Sequence, residues 1–281
     1  MPVRIVQSKQ NARLKLLRRA LTRPGRDAEG LVGIEGPHLL EEALRAGIRV
    51  RTIFVATEGK TFVPPAGFPP LPADADILLV PPSIMNSVLE TETPQAIAAL
   101  VEMPDWTWAH VLRGRGSWDP LVLVLAGMQD PGNLGTTLRS AEAFGASGLI
   151  ALPGTVNHWN PKAVRASAGS IFRVPVLTAT LDECLTNLRK SSMRILTTTV
   201  QGAEPADMIN LTGPVAFIIG NEGSGVSDEV AAHADSRVTI PCPGPVESLN
   251  AAVAASVLLY ESCRQRQSAA GGPHSLRGTG R

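Results

Sequence analysis

Short apolar runs alternate with stretches of three- and four-residue apolar spacing along most of this chain, and the alternation changes character near residue 104. Leu14, Leu17 and Leu21 share one face of a helix predicted within residues 8–21, which Pro24-Gly25 closes. A strand at Leu31–Ile34, the turn Glu35-Gly36-Pro37, a helix at His38–Ala46 and a strand at Arg51–Val55 follow, in the rhythm of an α/β unit. The proline-rich stretch 61–75 predicts a loop, Ile77–Val80 a strand, Ser83 onward a helix, and Thr93–Val101 another apolar stretch. Residues 104–118 break the pattern with Pro, Gly and three Trp, and read as a linker. Its tryptophans either pack it onto a domain or stack on nucleic-acid bases.

From residue 119 the alternation is regular. Strands are predicted at Leu121–Ala126, Leu149–Leu152, Arg194–Thr199, Val215–Ile219 and Arg237–Ile240. Helices are predicted at Leu134–Phe144, Pro161–Ala168, Leu181–Lys190, Ser227–Ala234 and from Ser248 to about Gln265. Uninterrupted apolar strands separated by helices indicate a mostly parallel sheet covered on both faces. The expected organisation is an α/β domain at 1–103, a linker at 104–118, a second α/β domain at 119–266 and a disordered, glycine-rich tail at 267–281.

Charge modifies this picture at one end. The net charge is +1, yet residues 1–26 hold eight Arg or Lys and no acid, whereas 119–266 holds ten basic and thirteen acidic residues. A basic arm bearing Lys9, Arg13, Lys15, Arg18 and Arg19 suits a polyanion such as RNA, or is a solvated helix face. The three cysteines, Cys184, Cys242 and Cys263, are widely spaced, with no C-x-x-C and no Cys/His cluster. A disulfide framework and a metal site are therefore not expected, and reduced thiols in the cytoplasm are. No apolar stretch of membrane-spanning length and no signal-peptide pattern is present.

Three blocks carry the candidate chemistry: Asn133–Gly145, Phe217–Gly225 and Ile240–Asn250. Each couples an apolar run to a glycine- or proline-rich turn. Asn133 stands where a helix cap would, and Arg139 beside the apolar face is a surface residue or a planar phosphate clamp. Three glycines between Gly220 and Gly225 allow close backbone approach beyond a strand end, where ligands of open α/β sheets bind, and Glu222 is a ligand contact or an exposed turn acid. Ser248 is placed to cap the last helix with Asn250 in its first turn, and Cys242 reads as a small apolar filler. No P-loop, no dinucleotide fingerprint and no G-x-S-x-G occurs.

Together, Asn133-x-Gly135-x3-Arg139-x-Ala141-x2-Phe144-Gly145, Ile219-Gly220-Asn221-Glu222-x2-Gly225 and Ile240-Pro241-x6-Ser248-Leu249-Asn250 resemble the three motifs of the SpoU/TrmH family, RNA ribose 2′-O-methyltransferases of the SPOUT class. Leu31–Val55 resembles the ribosomal-protein-like substrate-binding domain of several members. Cys242 departs from the methionine expected there. The resemblance implies a deep trefoil knot, a homodimer, no metal, and S-adenosylmethionine held by Gly220, Ile240 and Leu249. It implies that Arg139, with Asn133, Glu222, Ser248 and Asn250, serves the RNA side of the site, and that one chain can supply Arg139 to its partner's donor pocket. Methyl transfer to a ribose hydroxyl needs alignment and loss of a proton. Because arginine stays protonated in proteins, an orienting role for Arg139 on phosphate is favoured over a base role. The favoured substrate is 23S-type ribosomal RNA. The alternatives are transfer RNA, or a non-catalytic RNA-binding ribosome-assembly factor of the same fold.

Overall fold

The computed structural model describes residues 3–23, 30–57, 67–89, 94–200, 202–246 and 248–270. Parts of the expected loop at 61–75, of the stretch from Thr93 and of the tail (from 271) lie outside them. In chain order the elements are β1 (Val3–Ile5), α1 (Ala12–Thr22), β2 (Leu31–Glu35), α2 (Pro37–Arg45), β3 (Val50–Ala56), β4 (Asp76–Val80), α3 (Pro82–Leu89), β5 (Ile97–Glu102) and α4 (Trp108–Val111). They continue with β6 (Leu121–Leu125), α5 (Pro131–Ala143), β7 (Gly148–Ala151), α6 (Pro161–Ala166), β8 (Val176–Thr178), α7 (Leu181–Lys190), β9 (Arg194–Thr198), β10 (Glu204–Pro205), β11 (Val215–Ile219), α8 (Asp228–Ala231), β12 (Ser236–Thr239) and α9 (Ala251–Ala269).

Two compact units form. The first comprises residues 1–105 together with 157–173, and the second 106–156 together with 174–281. In the first unit a five-stranded mixed sheet runs β1-β4-β3-β5-β2, with β5 antiparallel to both neighbours. Leu14, Leu17 and Leu21 of α1 are buried in a cluster with Met85 and Val88 of α3 and with Leu31, Phe54 and Leu100 of the sheet. Gly33 in β2 is required there, since a Cβ would lie 2.7 Å from Leu21 Cγ. By strand alternation Val32 and Ile34 face the other way, and both are buried. Helices α2 and α6 pack on β2, so a helix from the second half of the sequence completes this layer. Arg173 Nη1 pairs with Glu42 Oε2 on α2 at 2.7 Å, and Trp159 packs on Phe172.

In the second unit a seven-stranded, wholly parallel sheet runs β10-β12-β9-β11-β6-β7-β8. Its central strands β11, β6 and β7 are apolar at nearly every position because helices cover both faces, whereas β9, β10 and β12 also carry polar residues. Val122, Val124, Ile150, Ile195 and Ile218 pack with Cys184, Leu185 and Leu188 of α7. Burial pushes the Cys184 thiol up to about 12, with Glu183 adding to the effect, so it is an inert filler. On the other face α5 packs along α9. The end of α9 is fixed by Arg266, 4% exposed, which donates to the carbonyls of Asp119, Pro120, Leu211 and Gly213.

Several expectations are corrected. The stretch 104–118 contains α4, which packs on β7 and β8, and Trp108 Nε1 donates to Glu183 Oε1 at 3.0 Å. Residues 106–118 thus belong to the second unit. Strands β1, β8 and β10 were not signalled, being two or three residues long. The final helix continues to Ala269, so residues 267–269 of the expected tail are helical.

Candidate active site

The three blocks lie at the carboxyl ends of β6, β11 and β12. After β6 the chain turns through Gly127 (φ 85°) and enters α5 at Asp130-Pro131. Asp130, not Asn133, is the N-cap: its Oδ1 accepts from the backbone N–H groups of Gly132 and Asn133. Proline at the first helical position is the local signal that marks this start. Asn133 therefore sits inside the first turn with its side chain available for long-range contacts.

The third block corrects in the same direction. Asn250, not Ser248, caps α9, its Oδ1 accepting from Ala252 and Val253 N–H at 2.9 and 3.3 Å. Ser248 is exposed two residues earlier and makes no hydrogen bond among the described residues.

Capping leaves the Asn250 Nδ2 free to donate to Asn133 Oδ1 at 3.1 Å, and Asn133 Nδ2 in turn donates to Glu222 Oε1 at 3.0 Å. Both ends fix the direction of this chain. Backbone N–H groups only donate, so Asn250 must present its oxygen to them. A carboxylate only accepts, so Asn133 must present its nitrogen to Glu222. Both amide orientations follow from that chemistry. Glu222 also accepts from the Gln129 N–H at 3.4 Å. Partial burial pushes the Glu222 carboxyl up, but the Asn133 amide and the backbone N–H groups of Glu222, Gln129 and Asp130 outweigh it and hold it below the usual carboxylate range.

Asn221, a motif position with no role assigned from sequence, organises the middle loop. Its Oδ1 accepts from Gly223 N–H at 2.8 Å and Ser224 N–H at 3.2 Å, its Nδ2 donates to Gly127 O at 2.8 Å, and its backbone pairs with Gly225. An Asn followed by Gly-rich sequence is the signature of such a turn. Gly220 is demanded by this loop itself, because a Cβ there would overlap the backbone of Gly225 and Val226.

Arg139 stands apart. It is exposed on α5, and its side chain makes no hydrogen bond or ion pair among the described residues. The geometry thus joins Asn133, Glu222 and Asn250, and does not join Arg139 or Ser248 to them. Gly220 is buried, and Ile240 and Leu249 are half-buried. The loops 217–225 and 240–250 contain Glu222 and Glu247 and no Lys or Arg. A lining without cations, with the Glu222 carboxylate on one of its loops, fits a positively charged sulfonium donor. No cluster of potential metal ligands occurs among the described residues. In the first unit Lys9, Lys15, Arg18 and Arg19 are exposed and Arg13 is half-buried.

Residues 120–260 match the SpoU rRNA Methylase family, and residues 11–99 match the MRM3-like substrate binding domain. The 23S rRNA (guanosine(2553)-2′-O)-methyltransferase RlmP of Bacillus subtilis is 33% identical over 91% of this chain and 97% of its own length. A crystal structure of an RNA 2′-O ribose methyltransferase superposes with a TM-score of 0.75 at 34% identity, covering 93% of this chain and 99% of that one. The SpoU methyltransferase AviRb of Streptomyces viridochromogenes, solved with AdoMet, gives 0.79 at 28% identity, covering 92% and 99%. This chain belongs to the SpoU family of RNA 2′-O-methyltransferases, enzymes that use S-adenosylmethionine.

Proposed function

We propose that the protein methylates the 2′-hydroxyl of a ribose in structured RNA, with 23S-type ribosomal RNA as its substrate. The observation that carries this reading is the directed chain Asn250–Asn133–Glu222, which ties the three motif loops into one site. The full-length similarity to a relative named for 23S rRNA favours ribosomal over transfer RNA. S-adenosylmethionine, when bound, supplies an already activated methyl group. Gly220, Ile240 and Leu249 are its proposed contacts.

The chain's own residues align the acceptor. Each Asn133 amide atom makes one hydrogen bond within the site, leaving one N–H and one oxygen lone pair for a ribose. Arg139, exposed and without a partner among the described residues, binds and orients phosphate beside the reacting hydroxyl. Ser248 lies exposed at the same loop and is assigned to the ribose side. The exposed Lys15, Arg18 and Arg19 of α1, within a segment similar to a substrate-binding domain, support assigning RNA contact to the first unit.

We further propose a homodimer and a knotted C-terminus. Val253 (46% exposed), Val257 and Tyr260 (53% exposed) recur at four- and three-residue spacing along α9, an apolar stripe suited to a second copy. Sedimentation as a monomer at micromolar concentration would sink the dimer. Arg266 ties the end of α9 by hydrogen bonds to two distant chain segments, which supports a threaded C-terminus. Free cysteines and an RNA target suit the cytoplasm.

The test is incubation of the protein and S-adenosylmethionine with transcribed 23S rRNA and with tRNA, followed by mapping of 2′-O-methyl groups. One methylated ribosomal nucleotide is expected. Methylation confined to tRNA would overturn the substrate. No methylation of either RNA, with donor binding intact by titration calorimetry, would favour a binding factor.

A further inference from the structure

The loop after β7 touches the site from behind, and neither the motifs nor the family similarity gives it a role. Thr155 Oγ1 donates to Leu125 O at 2.8 Å and accepts from Gly127 N–H at 3.1 Å. The adjacent Val156 N–H donates to Met128 O at 2.8 Å. Gly154 packs so closely that its Cβ position lies 3.7 Å from Gly127 Cα. The turn that leaves β6 is thus gripped at Leu125, Gly127 and Met128 by two consecutive residues. Gly127 O receives the Asn221 Nδ2, and Asn221 shapes the loop that presents Glu222.

We propose that Thr155 is a positioning residue for methyl transfer. Its hydroxyl fixes the peptide at Gly127, Gly127 fixes Asn221, and Asn221 fixes the Glu222 loop relative to Asn133. The assignment rests on the site proposed above. Val156 alone cannot replace it, since its hydrogen bond lies one residue beyond the positive-φ turn. The plain alternative is a hydroxyl that merely satisfies a strand-end carbonyl, and the two differ in how far the effect of removal spreads.

The test compares Thr155→Val, which keeps shape and removes the hydroxyl, with Thr155→Ser, which keeps it. Thr155→Val is expected to lower kcat on the order of ten- to a hundred-fold, since small misplacement of reacting groups costs that much. KM for RNA should move less than about twofold, because the residue touches no substrate. Thr155→Ser should restore most of the rate. Hydrogen exchange provides a readout independent of turnover: in Thr155→Val, segments 126–130 and 220–225 should lose protection together while β6 and β7 keep theirs. Exchange that rises only in 126–130, or across β6 and β7 as well, would overturn the proposal, as would wild-type kcat in Thr155→Val. If the wild type methylates no RNA, the functional reading fails by itself and the exchange comparison still decides Thr155.

Discussion

Asn250 and Asn133, 117 residues apart, are joined by a 3.1 Å hydrogen bond in which the cap of one helix holds a side chain in the first turn of another. Asn250 thereby does two jobs with one amide. Its oxygen caps α9, and its nitrogen orients Asn133. Aspartate retains the oxygen and loses the donor, which separates the two. Asn250→Asp should melt within a few degrees of wild type, yet lose roughly ten-fold or more in kcat, as expected when a group that orients the reacting residues is lost. Asn250→Ala should in addition lose about 1 kcal/mol of stability with the cap. Equal kcat in Asn250→Asp and wild type would remove the chain from the mechanism.

Arg139 offers the opposite case. Because its side chain has no partner among the described residues, its removal costs the isolated fold little. Arg139→Ala should abolish methylation, with a loss on the order of 10²-fold or more. Melting temperature and calorimetric affinity for S-adenosylmethionine should stay near wild type. Normal turnover would rule out its proposed role.

Glu222 sets an acid limit. Its pKa is below the ordinary 4.5, so the hydrogen bonds to the carboxylate contribute fully above that pH and are lost as pH falls through the folded value. The melting-temperature difference between wild type and Glu222→Gln should be constant above pH 4.5 and shrink below it. A difference that grows on acidification would contradict the assignment.

His158 gives a second, separate pH dependence in the first unit. Burial depresses its pKa from 6.5 to about 4, so the folded state favours the neutral ring. Its stability contribution is complete above 6.5 and is lost as pH falls from there through about 4. Chemical denaturation across that window should show the wild-type midpoint falling more steeply than that of His158→Gln. Parallel midpoints would assign the acid sensitivity elsewhere.

The sequence made some of this legible and hid the rest for definite reasons. The run Val215–Ile219 and the helix Leu181–Lys190 were placed to the residue, because both are long, strongly patterned and bounded by turn formers. The motif blocks were found because strand ends followed by glycine or proline leave a local imprint. Capping was misassigned twice, to Asn133 and Ser248, because several residues near each helix start had the right chemistry and only the backbone path selects one. The destination of α6 was invisible. Periodicity reports that Ala163 and Val164 are buried, and nothing local says that β2, 130 residues earlier, is what buries them. The roles of Asn221 and Thr155 were hidden for the same reason, since their partners Gly127 and Leu125 lie far away in sequence.

The splitting of the first unit between residues 1–105 and 157–173 has a consequence for anyone who would recombine these enzymes. A substrate-recognition cassette cut near residue 104 would keep α2 but leave behind α6, the other helix packed on β2, and would arrive in its new host with part of that strand's apolar face uncovered. Retargeting by chimera therefore requires two grafts made together, the amino-terminal segment and the loop between β7 and β8.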